Sequence, residues 1–307
     1  MRLLSSAARL TIIRNRVISI GMMTKDVDIM NAGDERYALD LVEAAVNASL
    51  IESAGARPQD IDDLSLRESA AIANRLRYRL GSFKKSGRCR RCWLEKSLCV
   101  CDTVQPLALA PCIRRIFVIM HHKEIALTVD TAKLIFAAFP DRALVIVNGL
   151  RHQPAEEEMH KSIAKGEAIV LFPSDDSVLA DQSVFQDSVH ESKDLIILDG
   201  TWSQAQKLHR SLPATATRIR LSDTAINHLA KGFGKQLRPH PTKWKEVSTL
   251  EALRLLFVDL DIAGVDPNIL AHYQSVANAA ALKQLGTKRL SPKHKDVEEG
   301  TVHSFPN

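Results

Sequence analysis

Lys193-Asp-Leu-Ile-Ile-Leu-Asp199-Gly200-Thr201-Trp202 places four consecutive apolar residues, Leu195 to Leu198, directly before a carboxylate, a glycine, a hydroxyl and an indole. A short apolar run with two β-branched residues reads as a strand buried on both faces. Asp199-Gly200 stops it, and Ser203 to Ser211 reads as the helix that follows. Working outward, Arg115-Ile-Phe-Val-Ile-Met120, Ala143-Leu-Val-Ile-Val147 and Ala168-Ile-Val-Leu-Phe172 are further strands, the last stopped by Pro173. Arg218-Ile-Arg-Leu221 is a short one, and Thr131 to Phe139 and Ser248 to Asp259 carry helical spacing. This alternation predicts an α/β fold, a mostly parallel sheet with helices on both faces. Ligands of such sheets bind beyond the carboxyl ends of the strands, where residues 173–177 and Asp199 to Trp202 lie.

Upstream, the pattern from Asp34 to about Leu80 is helical. Tyr37, Leu41, Ala44, Ala45 and Ala48 share one face, and Asp63-Leu64-Ser65 caps a second helix in which Leu66, Ala70, Ala73, Leu76 and Leu80 recur. Its last turns, Arg75-Leu-Arg-Tyr-Arg79, are strongly basic, and Gly81-Ser82 with Lys84-Lys85-Ser86-Gly87 predicts a polar linker. The first 25 residues contain Arg2, Arg9, Arg14 and Arg16 and no acid, the composition of a mitochondrial or chloroplast presequence. The other reading is an exposed N-terminus of a cytoplasmic or nuclear protein. From Gly286, mixed charges predict a disordered tail. The chain thus divides into a presequence 1–25, a helical extension 26–86, a cysteine-rich element 87–112, a catalytic domain 113–285 and a tail 286–307.

The chain has 307 residues, 45% apolar and 25% charged, with a formal net charge of +5. No apolar run approaches the roughly 18 residues of a membrane span, so no membrane partner is expected. A mildly basic chain is compatible with a polyanionic partner. Neither a GxGxxG nor a Walker loop is present, which argues against dinucleotide or nucleoside triphosphate as cofactor.

Four of the five cysteines are Cys89, Cys92, Cys99 and Cys101. The CxxC pair offers two thiolates from one tight turn and the CxC pair supplies two more, a closed tetrahedral set that fits structural zinc. An iron–sulfur cluster, a disulfide or plain buried thiols are the alternatives. Arg88, Arg90 and Arg91 stand beside the thiolates, where they would offset negative charge.

At the strand ends, Asp199 can accept a proton or hold a ligand amine or hydroxyl. Gly200 permits a sharp turn and a close approach, Thr201 can cap the next helix, and Trp202 can stack on a planar base. Equally, these residues make an ordinary strand-to-helix turn. His121-His122-Lys123-Glu124 lacks the helical His-x3-His spacing of zinc hydrolases and reads as a capped helix start. Ser248 and Glu251 fit a capping box at a helix N-terminus that also attracts a carboxylate.

Taken in order, these residues resemble the DTW-domain family, the tRNA-uridine aminocarboxypropyltransferases. The matches are the four cysteines, His121-x2-Glu124 with Thr131-Ala132, Leu171-Phe172-Pro173, Leu198-Asp-Gly-Thr-Trp202 with Ala205 and Lys207, and Ser248-Thr-Leu-Glu-Ala252. The chain departs from the family at His122, where Pro is frequent, and at Asp130, where Asn is frequent.

The resemblance implies a SPOUT-like α/β fold with a possible C-terminal trefoil knot. It implies transfer of the 3-amino-3-carboxypropyl group of S-adenosylmethionine to N3 of a uridine in tRNA, with release of methylthioadenosine. The roles that follow are Asp199 as catalytic base or cofactor ligand, and Leu171, Phe172, Pro173, Gly200, Thr201, Trp202, Ser248, Thr249 and Glu251 around the cofactor. Arg88, Arg90, Arg91, Lys207 and Arg210, with Arg75, Arg77 and Arg79, are expected at tRNA phosphates. No obligatory protein partner is inferred. The rival readings are a SPOUT-type RNA methyltransferase and a non-catalytic zinc-ribbon RNA-binding protein.

Overall fold

The apolar runs form six parallel strands in the computed structural model, which describes residues 37–181, 184–185, 192–229, 247–261 and 265–286. The presequence reading and the tail beyond Gly286 lie outside the described residues. The strands are β1 (Ile113–Met120), β2 (Ala143–Val147), β3 (Ala168–Leu171), β4 (Val178–Leu179), β5 (Lys193–Asp199) and β6 (Thr217–Arg220). They lie in the order β2-β1-β5-β3-β6-β4, every pairing parallel. The expected α/β sheet is therefore present, and its described part is wholly parallel. Register aligns Met120 with both Val147 and Asp199, and Leu171 with Ile197. His121 and Gly200 consequently emerge side by side from the carboxyl edge of the sheet, while Phe172 follows Leu171 at the level of Leu198.

Alternation of side chains along the strands feeds two cores. Phe117, Ile119, Ile146, Val170, Ile196 and Leu198 face one way, against Met159 and Ile163 of α4 (Pro154–Ala164) and Ala205 and Leu208 of α5 (Trp202–Ser211). Ile116, Val118, Met120, Val145, Leu195 and Ile197 face the other. That side is covered by α3 (Ala132–Ala138), α7 (Thr249–Asp259) and α8 (Pro267–Leu285), while α6 (Asp223–Leu229) packs against α7. No helix among the described residues is long and apolar enough to cross a membrane.

The N-terminal helices join the second core. In α1 (Ala38–Glu52) the buried residues are Leu39, Val42, Ala45, Val46 and Ser49. The predicted face through Leu41, Ala44 and Ala48 is rotated away, because the larger Leu39, Val42 and Val46 gain more from burial than alanines do. In α2 (Leu64–Lys85), Asp63 caps as expected, accepting from the Leu66 amide at 2.8 Å. The linker expected at Gly81-Ser82 is instead helix, held by the buried Leu80 and Phe83 on either side. His121 to Glu124 is a run of turns and not a helix start, since α3 begins only at Ala132.

Candidate active site and metal centre

Cys89, Cys92, Cys99 and Cys101 bring their sulfurs within 4.8 Å of one another. Cys89 and Cys101 are 3.5 Å apart and Cys92 and Cys99 are 3.7 Å apart. A tetrahedron with bonds of about 2.3 Å places sulfurs about 3.8 Å apart, so the set fits zinc with no coordination position left open. The loop is built by its own backbone: the Cys89 amide donates to the Leu94 carbonyl at 2.8 Å and the Trp93 amide to the Cys89 carbonyl at 2.9 Å. Trp93 turns the chain with a φ of 59°, a left-handed conformation that its fully buried indole holds in place. Thiols this close cannot all ionise unaided. Contacts with Cys101 and Cys92 hold the Cys89 pKa down, while Cys89 and Cys92 drive that of Cys101 up.

The arginines beside the cysteines face elsewhere. Arg90 pairs with Asp40 and, at 3.4 Å, with Glu43. Arg91 donates to the carbonyls of Val104 and Ala137, both at 2.8 Å. Arg88 lies over the Phe83 ring and bonds Thr128 Oγ1 at 3.3 Å. The cation that feels Cys92 and Cys101 is Lys133, only 1% exposed and unmarked in the sequence reading. Its ammonium donates to the Thr128 carbonyl at 2.6 Å. Burial lowers its pKa to about 8, against the upward pull of Asp130.

Lys133 leads to the sheet edge where Asp199 sits. Asp199 is 4% exposed, its Oδ1 receives the Thr249 hydroxyl at 2.5 Å, and its carbonyl receives the His121 amide at 2.9 Å. Asp130, also 4% exposed, accepts the Lys133 amide through Oδ1 at 3.2 Å. Its Oδ2 is buried beside the Asp199 carboxyl, with which a protonated Asp130 forms a side-chain hydrogen bond. Burial first, then the charge of Asp199, pushes the Asp130 pKa well above the ordinary carboxylate value. Glu124 is buried close enough to add to that push. Asp130 is the site residue that a role-by-role reading missed; its signal was the departure from Asn at that position.

The remaining expected residues fall into two groups. Around Asp199, Gly200 has no positive φ; it is small because an added Cβ would lie 3.0 Å from Gln204 Cβ and 3.4 Å from His121 Cβ. Thr201 is the N-cap of α5, its amide donating to Gln204 Oε1 at 2.7 Å. Trp202 stacks on Phe172 at 5.2 Å, and Phe172 on His209 at 4.6 Å, which ties the end of β3 to α5. Leu171 lies buried in β3, with Pro173 directly after Phe172. At α7, Ser248 caps by accepting the Glu251 amide at 3.4 Å, and the Leu250 amide donates to Thr131 Oγ1 at 3.3 Å. The capping box is only half formed, because both Glu251 oxygens bind Arg254, at 2.8 and 2.6 Å, deep in the core.

His121 and His122 stack at 4.4 Å beside this cluster. Burial, then the charges of His121 and Arg75, lowers the His122 pKa to about 4. Lys207 and Arg210 are exposed on α5, and Lys207 also acts on His121.

Comparison with known proteins bears on this arrangement. The DTW domain family matches residues 86–282, which covers the cysteine loop, the sheet and the site residues from Arg88 to Arg254. A tRNA-uridine aminocarboxypropyltransferase 2 from Macaca fascicularis is 25% identical over 128 residues, 41% of this chain and 42% of that protein. A protein of the same name from Mus musculus is 25% identical over 123 residues, 39% of this chain and 40% of its own length. The match thus spans about two fifths of each relative. No solved structure gives a significant match. With the family match running through the cysteine loop, the buried aspartates and the Asp-Gly-Thr-Trp turn, the chain belongs to the DTW domain family.

Proposed function

We propose that the chain transfers the 3-amino-3-carboxypropyl group of S-adenosylmethionine to N3 of a uridine in tRNA; the relatives' name, tRNA-uridine aminocarboxypropyltransferase, supports the transferred group and the tRNA uridine. The observation that carries this reading is the buried, hydrogen-bonded Asp130–Asp199 pair at the carboxyl edge of a parallel sheet. S-adenosylmethionine brings an ammonium and a sulfonium. A buried cluster of Glu124, Asp130 and Asp199 suits such a cation, whose charge would favour loss of the proton that Asp130 holds.

When bound, the cofactor supplies an electrophilic carbon attached to a good leaving group, which departs as methylthioadenosine. The chain must then do two things. Asp199 takes the proton from uridine N3, a weak acid that needs a positioned base at neutral pH. Thr249 holds that carboxylate through Oδ1. Choice of the reacting carbon is a matter of orientation. We assign it to Leu171, Phe172, Pro173, Gly200, Thr201, Trp202 and the α7 start at Ser248 and Thr249, which lie at or just after the ends of β3 and β5 or, at the α7 start, bond Asp199 directly through Thr249. Zinc in the four-cysteine loop is structural. The finer fold assignment, a SPOUT-like sheet, belongs to the same proposal and is supported by the parallel strand order with the site at the strand ends.

Titration calorimetry tests the reading. S-adenosylmethionine is expected to bind and to bind more weakly to Asp130→Asn, which removes the acidic oxygen. A zinc-ribbon RNA-binding protein without catalysis would bind no cofactor at all, and that result would overturn the proposal.

A further inference from the structure

Between Ser69 and Leu94 the chain has eight lysines and arginines and no acid. Five of these cations are engaged within the fold. Arg88, Arg90 and Arg91 make the contacts given above, and Lys84 pairs with Glu43 at 3.0 Å. Arg79 donates to the carbonyls of His122, Lys123 and Ile125 at 2.7 to 3.2 Å. Arg75, Arg77 and Lys85 make no ion pair among the described residues and are exposed.

Arg75, Tyr78, Ser82 and Lys85 succeed one another at spacings of three, four and three, so they form one stripe along α2. All four are exposed, and Tyr78, in the middle, is 83% exposed. The apolar residues of this helix, Ile72, Leu76, Leu80 and Phe83, are buried on the opposite side. A ring between cations is the composition that holds a single nucleic-acid strand, with the ring for a base and the cations for phosphates. The core of a protein interface is depleted in charge and in lysine, which a ring set between Arg75 and Lys85 does not match.

The stripe is fastened to the site. Arg79 grips the turn that follows His121, whose amide is bonded to Asp199, and Arg75 is close enough to act on His122. Lys207 of α5 acts on His121 from the other flank. The histidine pair beside Asp199 thus has cations of both α2 and α5 near it.

We infer that the exposed face of α2 is a contact surface for the substrate tRNA, with Tyr78 stacked on an unpaired base and Arg75 and Lys85 on the flanking phosphates. This rests on the tRNA reading above.

Binding of the full chain to unfractionated tRNA, followed by fluorescence anisotropy at several salt concentrations, tests it. Tyr78→Ala is expected to raise Kd about 5–100-fold, the usual effect of removing one stacked ring. Arg75→Gln with Lys85→Gln should lower the salt slope by about 1.5, from two lost phosphate contacts. Zinc content, thermal unfolding and S-adenosylmethionine binding should match the wild type, because the changed side chains are exposed. Variants that bind tRNA as the wild type does, with the same slope, overturn the inference alone and leave the stripe to another partner. Wild-type protein that binds no tRNA overturns the functional reading and this inference together.

Discussion

The Thr249 hydroxyl donates to Asp199 Oδ1 at 2.5 Å, joining the first turn of α7 to the last residue of β5. Two segments fifty residues apart in the chain therefore fix one carboxylate. The bond orients the Asp199 carboxylate.

Asp199→Asn is expected to lower the transfer rate about 10²–10⁴-fold, the usual contribution of a general base. Raising the pH should partly restore it, because uridine then ionises unaided. Thr249→Val keeps the shape and removes the donor, and should cost about 0.5–1.5 kcal/mol in transition-state stabilisation. Single-turnover rates across a pH series measure both. Loss of cofactor binding in Asp199→Asn, without rescue at high pH, would make Asp199 a cofactor ligand.

Asp130 predicts a proton linkage. Its carboxyl pKa is raised in the folded chain above the ordinary 3.8, so folding takes up a proton. That contribution to stability is complete below the unfolded value and is lost as pH rises towards the folded one. Asp130→Asn cannot ionise, so its stability relative to the wild type should increase as pH rises above about 4. Thermal unfolding from pH 5 to 8 measures this. A cationic cofactor arriving at the pair should also expel the proton, so that binding heats vary with the ionisation heat of the buffer. A difference in stability that stays flat with pH would remove the linkage.

The cysteine loop is expected to carry about one zinc per chain. Cys92→Ser should lower both metal content and unfolding temperature, and chelation should change the fluorescence of Trp93, buried beside the ligands. Elemental analysis of protein purified without chelator checks the first point; a metal-free yet fully stable chain would contradict it.

Gly200→Ala places a Cβ 3.0 Å from the Gln204 side chain and 3.4 Å from His121. Overpacking of this sort costs about 1–3 kcal/mol, and the start of α5 must give way. Denaturant unfolding should show that loss, accompanied by a slower transfer rate.

Much of this arrangement was legible in the sequence, and the limits have physical causes. The strands at 143–147 and 195–198 were plain because burial on both faces makes them continuously apolar. Spacing alone brought the four cysteines together. The helix α8 was overlooked because, apart from Leu270 and Tyr273, its buried residues are small or polar, among them Ala271, Gln274, Ala277, Asn278 and Ala281, and leave no continuous apolar stripe. Its start signal was nonetheless present: Asp266 accepts the Asn268 amide at 2.9 Å and Pro267 opens the first turn. Strand β4 is two exposed residues, too short to show a period. Lys133 and Asp130 could not be read as buried, since charged side chains are solvated unless tertiary neighbours enclose them. Arg90 was expected at a phosphate or a thiolate, but its carboxylate partners stand some fifty residues earlier, in α1.

The central claim is the group transferred, and the released thioether reports it. Purified full-length protein would be incubated with S-adenosylmethionine and undermodified tRNA, and the nucleosides and small products resolved by mass spectrometry. The account expects 3-(3-amino-3-carboxypropyl)uridine and methylthioadenosine in equal amounts, both strongly reduced in Asp199→Asn. A methylated nucleoside with S-adenosylhomocysteine would contradict it and identify a methyltransferase on the same sheet.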